Sequence, residues 1–261
     1  MEAGHEHYRE KLQYAWLDKP ALGKLGITLE MIFLIGILIL AVISRFYLIE
    51  PRVMSHDETI HVYHNSWSLF TGQGYRHDPL SHGPFQTHVV ALSYFLFGDS
   101  DTSARIPAVL FSIATVLFVW NFRRYLGRAG ALAAMVLMLI SPYMLYYGRY
   151  VRNESFAAFF GVVTIWAMLR YLETGKARYT YWLTAAIVLH FTAKETAFIY
   201  TAQALLFLGV YFIYNITVKP WPNNKWFTGF LISLLISFIL LGGMGAVFIL
   251  HRPRLQNGGS S

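Results

Sequence analysis

The chain has 261 residues, of which 56% are hydrophobic and 13% are charged. Soluble domains carry about 25% charged residues, so this composition favours a membrane protein. The absence of cysteine excludes disulfides, thiolate catalysis and cysteine-based metal sites. The net charge of +7 is spread over short loops between apolar stretches. That pattern is typical of charges that set membrane topology and contact anionic lipids, and it does not indicate a nucleic-acid-binding protein.

The predicted elements begin with a polar segment, residues 1–27, which we expect on the cytoplasmic side. The first apolar run, 27–49, is long enough to cross a bilayer at about 1.5 Å per residue. Residues 51–104 are less apolar, and the stretch 85–97 within them suits an amphipathic helix lying in the interface. Six further spans follow, at 106–122, 129–147, 155–172, 180–193, 197–217 and 227–250.

These elements predict an all-α polytopic membrane protein with about seven transmembrane helices. Its transmembrane module covers 28–250, and its first outer loop, 51–104, carries the interfacial helices. The polar residues 251–261 are expected to form a flexible tail.

The distribution of Lys and Arg predicts a cytoplasmic N-terminus, because the basic residues of the short loops then lie inside. If 85–97 lies in the interface, three polar clusters fall on the same, outer side. They are the loop 51–104, the turn 148–154 and the turn 194–195. If 85–97 instead crosses the bilayer, every later loop changes sides and the convergence with the first loop is lost.

The first cluster contains two adjacent acids, Asp57 and Glu58, directly after the first span. A carboxylate at the membrane boundary can act as a general base for a hydroxyl or as a metal ligand. The same residues can also start a helix, with Ser55 or Asp57 as the N-cap, and the two interpretations are compatible. His61 follows Asp57 by four residues and could share a metal with it on a helix, whereas a scattered interfacial histidine is the simpler interpretation.

The other two clusters combine cations with carboxylates. Arg149 and Arg152 lie at the outer end of the third predicted span, against the positive-inside tendency, and precede Glu154. Arginine suits bidentate phosphate binding, and headgroup contact with a helix start at Glu154 is the alternative. Lys194 and Glu195 occupy a tight turn between two apolar segments, where the lysine either binds a phosphate or pairs with its neighbour.

In this order and spacing, the clusters resemble the GT-C class of polyprenyl-phosphate-dependent glycosyltransferases, near the protein O-mannosyltransferase and aminoarabinose-transferase branch. The resemblance is to the N-terminal membrane module, over about residues 28–200, since family members usually have further spans and often a C-terminal soluble domain. The passages that carry it are Asp57-Glu58, Phe97-Gly98, Arg105 to Phe111, Ser141-Pro142-Tyr143, Arg149 to Glu154 and Thr192 to Ala197.

The resemblance implies an inverting transfer of a sugar from a polyprenyl-phosphate donor to an acceptor hydroxyl on the outer face of a membrane, expected to be a prokaryotic plasma membrane. Asp57 would be the general base, and Glu58 would position the acceptor or the donor. No metal is expected to be obligatory, although some branches of the class use a divalent cation. The substrate-binding residues implied are Arg149, Arg152 and Lys194 on the lipid phosphate, with Glu154, Glu195 and His61 beside them.

Two other functions stay open. A non-catalytic GT-C-like subunit of a larger membrane complex would share the fold without transferring a sugar. A transporter of lipid-linked sugars would favour charges or broken helices at mid-membrane. The sequence has few, and the best candidates, His190 and Gly242-Gly243, do not lie clearly in the middle of a span. The expected partners are a polyprenyl-phosphate sugar lipid, the membrane and, for a subunit of a complex, other membrane proteins.

Overall fold

The computed structural model describes residues 16–22, 26–78, 82–218, 220–221 and 223–250. The predicted tail 251–261 and most of the predicted segment 1–27 lie outside the described residues. Within the described part the chain is mainly helical. A short antiparallel pair, β1 (Pro20–Leu22) with β2 (Ile27–Thr28), precedes the first long helix. The predicted class, an all-α polytopic membrane protein, is confirmed.

The helices vary from one turn to more than seven. A π-helical stretch, Ile60–Trp67, and a 3-10 turn, Val119–Phe122, connect some of them without a break. In chain order they are α1 (Leu29–Phe46), α2 (His56–Thr59), α3 (Ser68–Phe70), α4 (Phe85–Phe97), α5 (Asp101–Phe118), α6 (Arg123–Ile140), α7 (Pro142–Tyr147), α8 (Glu154–Thr174), α9 (Arg178–Ala193), α10 (Ala197–Val218) and α11 (Asn224–Leu250).

Five stretches of the described chain are long and apolar enough to cross a membrane: Leu29–Phe46, Asp101–Ile140, Glu154–Thr174, Ala197–Val218 and Asn224–Val247. The second has 40 residues and contains the predicted span 106–122 and most of the predicted span 129–147. These are separated at Gly127, whose φ of 72° and ψ of 167° are not helical. The predicted span 180–193 falls on α9, which has 16 residues and is shorter than the five.

The predicted span 129–147 is interrupted near its end. α6 ends at Ile140, and α7 begins at Pro142 with Ser141 as its N-cap, whose side chain accepts a hydrogen bond from the backbone N–H of Met144. Proline has no backbone N–H and clashes with the preceding turn, so it is favoured at the start of a helix and disfavoured in its interior. The continuous helix predicted here is therefore wrong.

The main apolar core lies between α1, α5 and α6. Ile37 and Ala41 of α1 pack against Val109 and Val116 of α5 and Met135 of α6, and all five are buried. Most other side chains of α1 are apolar and exposed, as expected for a helix whose remaining surface faces lipid.

α8 and α9 form a helical hairpin that turns at Gly175, where a φ of 62° places the backbone in the left-handed region favoured by glycine. Edge-to-face aromatic contacts connect this hairpin to its neighbours. The ring of Phe156 lies 5.4 Å from that of Phe85 in α4 and 4.9 Å from that of Phe111 in α5. The start of α8 thereby lies beside the loop 51–104.

The described chain divides into two compact units, with the boundary after Leu205 in α10. The second unit contains the rest of α10 and α11. Within it, the Trp221 ring lies 5.5 Å from that of Phe227 and 5.6 Å from that of Phe230. The sites described below all belong to the first unit.

Candidate functional site

The acidic pair begins a helix, as one of the two sequence interpretations predicted. The Ser55 hydroxyl accepts a hydrogen bond from the backbone N–H of Glu58, and the Glu58 carboxylate accepts one from the backbone N–H of Ser55. This reciprocal capping box fixes the orientation of the first turn of α2. It also separates the two acids, because Glu58 is fully buried whereas 49% of the Asp57 side chain is exposed.

Glu58 connects three parts of the chain. Its Oε1 atom lies 2.8 Å from Nη2 of Arg52 and 3.2 Å from Nε of Arg105, and it accepts a hydrogen bond from the backbone N–H of Val151. Arg105, in α5, is itself fully buried and donates to the carbonyls of Ile49 and Arg52. A buried carboxylate and a buried guanidinium compensate each other only with this complete set of contacts. The pair therefore fixes the loop after α1 to α5 and to the turn 148–154.

Four predicted site residues form a continuous series of ion pairs, which we name the ion chain: Asp57, Arg152, Glu154 and Lys194. Oδ2 of Asp57 lies 2.9 Å from Nη1 of Arg152, and Nε of Arg152 lies 3.6 Å from Oε2 of Glu154. Oε1 of Glu154 lies 2.7 Å from Nζ of Lys194. These residues come from α2, the turn before α8, the start of α8 and the end of α9. The predicted convergence of three sequence-distant clusters is thus observed in the structure.

Histidines flank the ion chain. His61 is buried, and its ring stacks on that of His82 with a centroid separation of 5.9 Å. Burial, with smaller contributions from His82 and Arg152, lowers the pKa of His61 to about 4. Nδ1 of His82 lies 2.6 Å from Oε2 of Glu195, so the predicted residue Glu195 reaches His61 through His82. Sequence reasoning had not singled out His82, and no spacing rule links it to a residue 113 positions away.

The loop carrying His82 packs directly on the end of α9. The backbone N–H of Gly83 donates to the carbonyl of Ala193 at 3.3 Å. A Cβ atom at position 83 would overlap the carbonyl oxygen of Thr192, which leaves room for glycine alone. This contact brings the first outer loop against the Lys194 turn.

Arg149 does not join the ion chain, although it was predicted beside Arg152. Its Nη2 atom donates to the carbonyls of Tyr47 and Leu48 at the end of α1. There it lines a cavity of about 330 Å³. The other lining residues are Leu48, Ile49, Arg52, Leu145 and Tyr146. The two arginines of the turn therefore point to different sites: Arg152 to the ion chain and Arg149 to this cavity. The predicted role of Arg149 on the donor phosphate stays a prediction.

Several buried polar atoms around the ion chain lack a hydrogen-bond partner among the described residues. They are Oε1 of Gln86, Nε of Arg152, Oε2 of Glu154, and both side-chain polar atoms of Asn153. Leaving a buried polar group unsatisfied costs about 1–3 kcal/mol, so such groups are normally matched by water or by a ligand. Gln86 and Asn153 were not predicted as site residues, because an isolated amide has no distinctive sequence pattern.

Within the described residues, no group of three or more His, Asp or Glu side chains is arranged to hold a metal ion. A metal shared by Asp57 and His61 would therefore lack a third His, Asp or Glu ligand among the described residues. The expectation that no metal is obligatory stays a prediction.

The fold and the site define an integral membrane protein with a polar, ion-paired centre at one end of its helical bundle. Residues 81–241 match the family model described as dolichyl-phosphate-mannose-protein mannosyltransferase. This match covers more than half of the chain, and the chain belongs to that family, which is part of the GT-C class. At family level it is a GT-C-type membrane glycosyltransferase. A search of curated proteins gave no match.

The matched region contains Arg149, Arg152, Glu154, Lys194 and Glu195 but begins after the loop residues Asp57, Glu58 and His61. The family assignment therefore stands without the acidic pair, whose role has to be argued from its contacts.

Proposed function

We propose that the protein transfers a sugar from a polyprenyl-phosphate donor to an acceptor hydroxyl, with inversion at the anomeric carbon, on the outer face of the membrane. The observation that carries this proposal is the ion chain. It places an accessible carboxylate, Asp57, beside cations that suit a phosphate, Arg152 and Lys194, at the end of a bundle of membrane-spanning helices. Membership of the mannosyltransferase family supports the same reaction class.

In the proposed reaction, the acceptor oxygen attacks the anomeric carbon of the donor sugar. The bond from that carbon to the phosphate oxygen breaks, and its electron pair leaves with the lipid phosphate. Asp57 takes the proton of the acceptor hydroxyl, which is the work of a general base. Its half-exposed side chain suits this step.

The leaving phosphate gains negative charge as the bond breaks, and fixed cations at the membrane boundary stabilise it. Arg152 offers a planar guanidinium and Lys194 a point charge, two complementary ways of holding phosphate oxygens. Both pair with Glu154, which is 9% exposed and links them. We assign Glu154 to positioning these cations, and His61 and Glu195 to the adjacent wall of the site.

The test is transfer of a radiolabelled sugar from polyprenyl-phosphate donors by the purified protein, compared with Asp57→Asn. Loss of a general base lowers the rate by about 10²–10⁴-fold, so we expect turnover to fall by that factor while donor binding persists. Glu50→Gln, which neutralises an exposed carboxylate next to the same loop, is the matched control and should retain turnover.

Equal turnover in Asp57→Asn and the unchanged protein would reject Asp57 as the base. Donor binding without turnover in either protein would favour the non-catalytic subunit. A protein that binds no donor would contradict the phosphate roles of Arg152 and Lys194.

A further inference from the structure

A second charged cavity lies at the end of the bundle away from the ion chain. It has a volume of about 430 Å³. Its lining, which we name the arginine cavity, consists of Asn121, Arg123, Arg124, Trp166, Arg170 and Tyr179. α8 begins in the ion chain at Glu154, and Arg170 lies about four turns further along the same helix. The proposed reaction uses none of these residues.

Positive charge exceeds negative charge around this cavity. Glu173 pairs with Arg124 and with Arg170, and it also accepts a hydrogen bond from the Tyr125 hydroxyl. Arg123 donates to the carbonyl of Trp120 and stacks over its ring at 5.2 Å, contacts that leave its charge uncompensated. In the described part of this cavity, one carboxylate thus faces three guanidinium groups.

Tyr179 provides Arg170 and Arg178 with further contacts that add no negative charge. Nε and Nη2 of Arg170 and Nη2 of Arg178 donate to the hydroxyl of Tyr179, at 3.3, 2.9 and 2.8 Å. Both guanidinium groups also lie over the Tyr179 ring, at 5.1 and 4.8 Å from its centroid. Guanidinium groups that are held in place in this way, around a cavity with an excess of positive charge, suit the binding of phosphate oxygens.

The surroundings of the cavity indicate a ligand that is carried by the membrane. The Trp166 ring lies 5.5 Å from that of Tyr179 and 6.5 Å from that of Trp182. Such aromatic groups are typical of the boundary between hydrocarbon and headgroups. Basic pockets between membrane helices at this level bind anionic lipid headgroups.

We propose that the arginine cavity binds the phosphate of an anionic phospholipid headgroup, with the acyl chains lying along the apolar outer surface of the bundle. The same phosphate chemistry is available from a soluble phosphate, and the location among interfacial aromatic rings favours the lipid. The site is independent of the proposed transferase reaction, because it shares no residue with the ion chain.

The test uses the full chain purified in neutral detergent, titrated with phosphatidylglycerol or phosphatidylcholine and examined by native mass spectrometry. We expect saturable retention of phosphatidylglycerol over phosphatidylcholine. Arg123→Gln should weaken it at least about tenfold, the effect of losing about 1.4 kcal/mol of binding free energy. Arg170→Gln should act in the same direction, and Arg123→Gln keeps the test decisive if loss of the Arg170 contacts impairs folding.

Lys176→Gln is the matched control, since it removes one exposed positive charge from the same end of the bundle without touching the cavity. Phosphatidylglycerol retention equal in Arg123→Gln, Lys176→Gln and the unchanged protein would overturn the proposal. Displacement of the lipid by inorganic phosphate at millimolar concentration would also overturn it, in favour of a soluble anion. Neither result would bear on sugar transfer.

Discussion

Asp57 and Glu58 are adjacent in the chain but have different surroundings. Both carboxylate oxygens of Glu58 accept hydrogen bonds from protein groups, and the residue is fully buried. Asp57 pairs with Arg152, and about half of its side-chain surface remains exposed to solvent. A carboxylate that must accept a proton from an incoming hydroxyl has to be reachable, so the geometry favours Asp57 as the base and Glu58 as a residue that positions the loop.

Burial lowers the pKa of His61 to about 4, below its ordinary value of about 6.5. Between these two pH values the unfolded chain binds a proton at this residue and the folded chain does not, so the free energy of unfolding falls as the pH falls from 6.5 to 4. One pKa unit corresponds to about 1.4 kcal/mol. We therefore expect the thermal midpoint in detergent to decline more steeply over this range than that of His61→Gln.

The contribution of His61 is the difference between these two pH profiles, because other groups titrate in both proteins. Parallel profiles between pH 4 and 6.5 would show that His61 has the same pKa in the folded and the unfolded protein.

Gly83 is a position where a single methyl group has a large predicted effect. A Cβ atom there overlaps the backbone of Thr192, which cannot move as a flexible side chain can. Overpacking of this kind costs about 1–3 kcal/mol. Gly83→Ala should lower the thermal midpoint and, in the proposed transferase, reduce activity by displacing the outer loop from the Lys194 turn. Gly36→Ala is the control, since a Cβ at position 36 meets nothing within 4 Å.

At the scale of secondary-structure elements, the buried contact between Glu58 and Arg105 joins α2 to α5. Removing one partner of a buried ion pair costs about 3–5 kcal/mol, because the other charge remains buried. We expect Glu58→Gln and Arg105→Met each to destabilise the protein in chemical or thermal unfolding. The double variant should be less destabilised than the sum of the two, since it removes both charges of the fully buried pair. Strict additivity would show that the two side chains do not interact.

The helical elements and their apolar character follow from the sequence, because hydropathy over about 20 residues directly reports the cost of placing a segment in lipid. The convergence of Asp57, Arg152 and Lys194 also followed, from counting spans. The separation of Arg149 from Arg152 could not be predicted from the sequence, because the turn 148–153 is irregular and has no period that assigns side chains to a face. The burial of Glu58 depends on Arg105, a contact across 47 residues that no local pattern encodes.

At the scale of the whole molecule, the orientation in the membrane stays a prediction. The chain contains no cysteine, so single cysteines can be introduced without a background. With a cytoplasmic N-terminus, an impermeant maleimide should label Gln73→Cys in intact cells and Lys176→Cys only after permeabilisation. Both positions are exposed, which makes the pair a matched comparison. The reverse labelling pattern would show the opposite orientation, and labelling of both in intact cells would contradict the assignment of spans.

The ion chain contains two carboxylates and two cations, so its formal charge is zero. In the proposed reaction the donor is a phosphodiester with one negative charge, whereas the released lipid phosphate is a monoester that carries about −1.5 to −2 at pH 7. A site with unpaired cations would hold this product more tightly than the donor and delay its departure. Each cation of the ion chain already has a carboxylate partner, which reduces the difference in affinity between the product and the donor. In the proposed reaction this arrangement favours product release and repeated turnover.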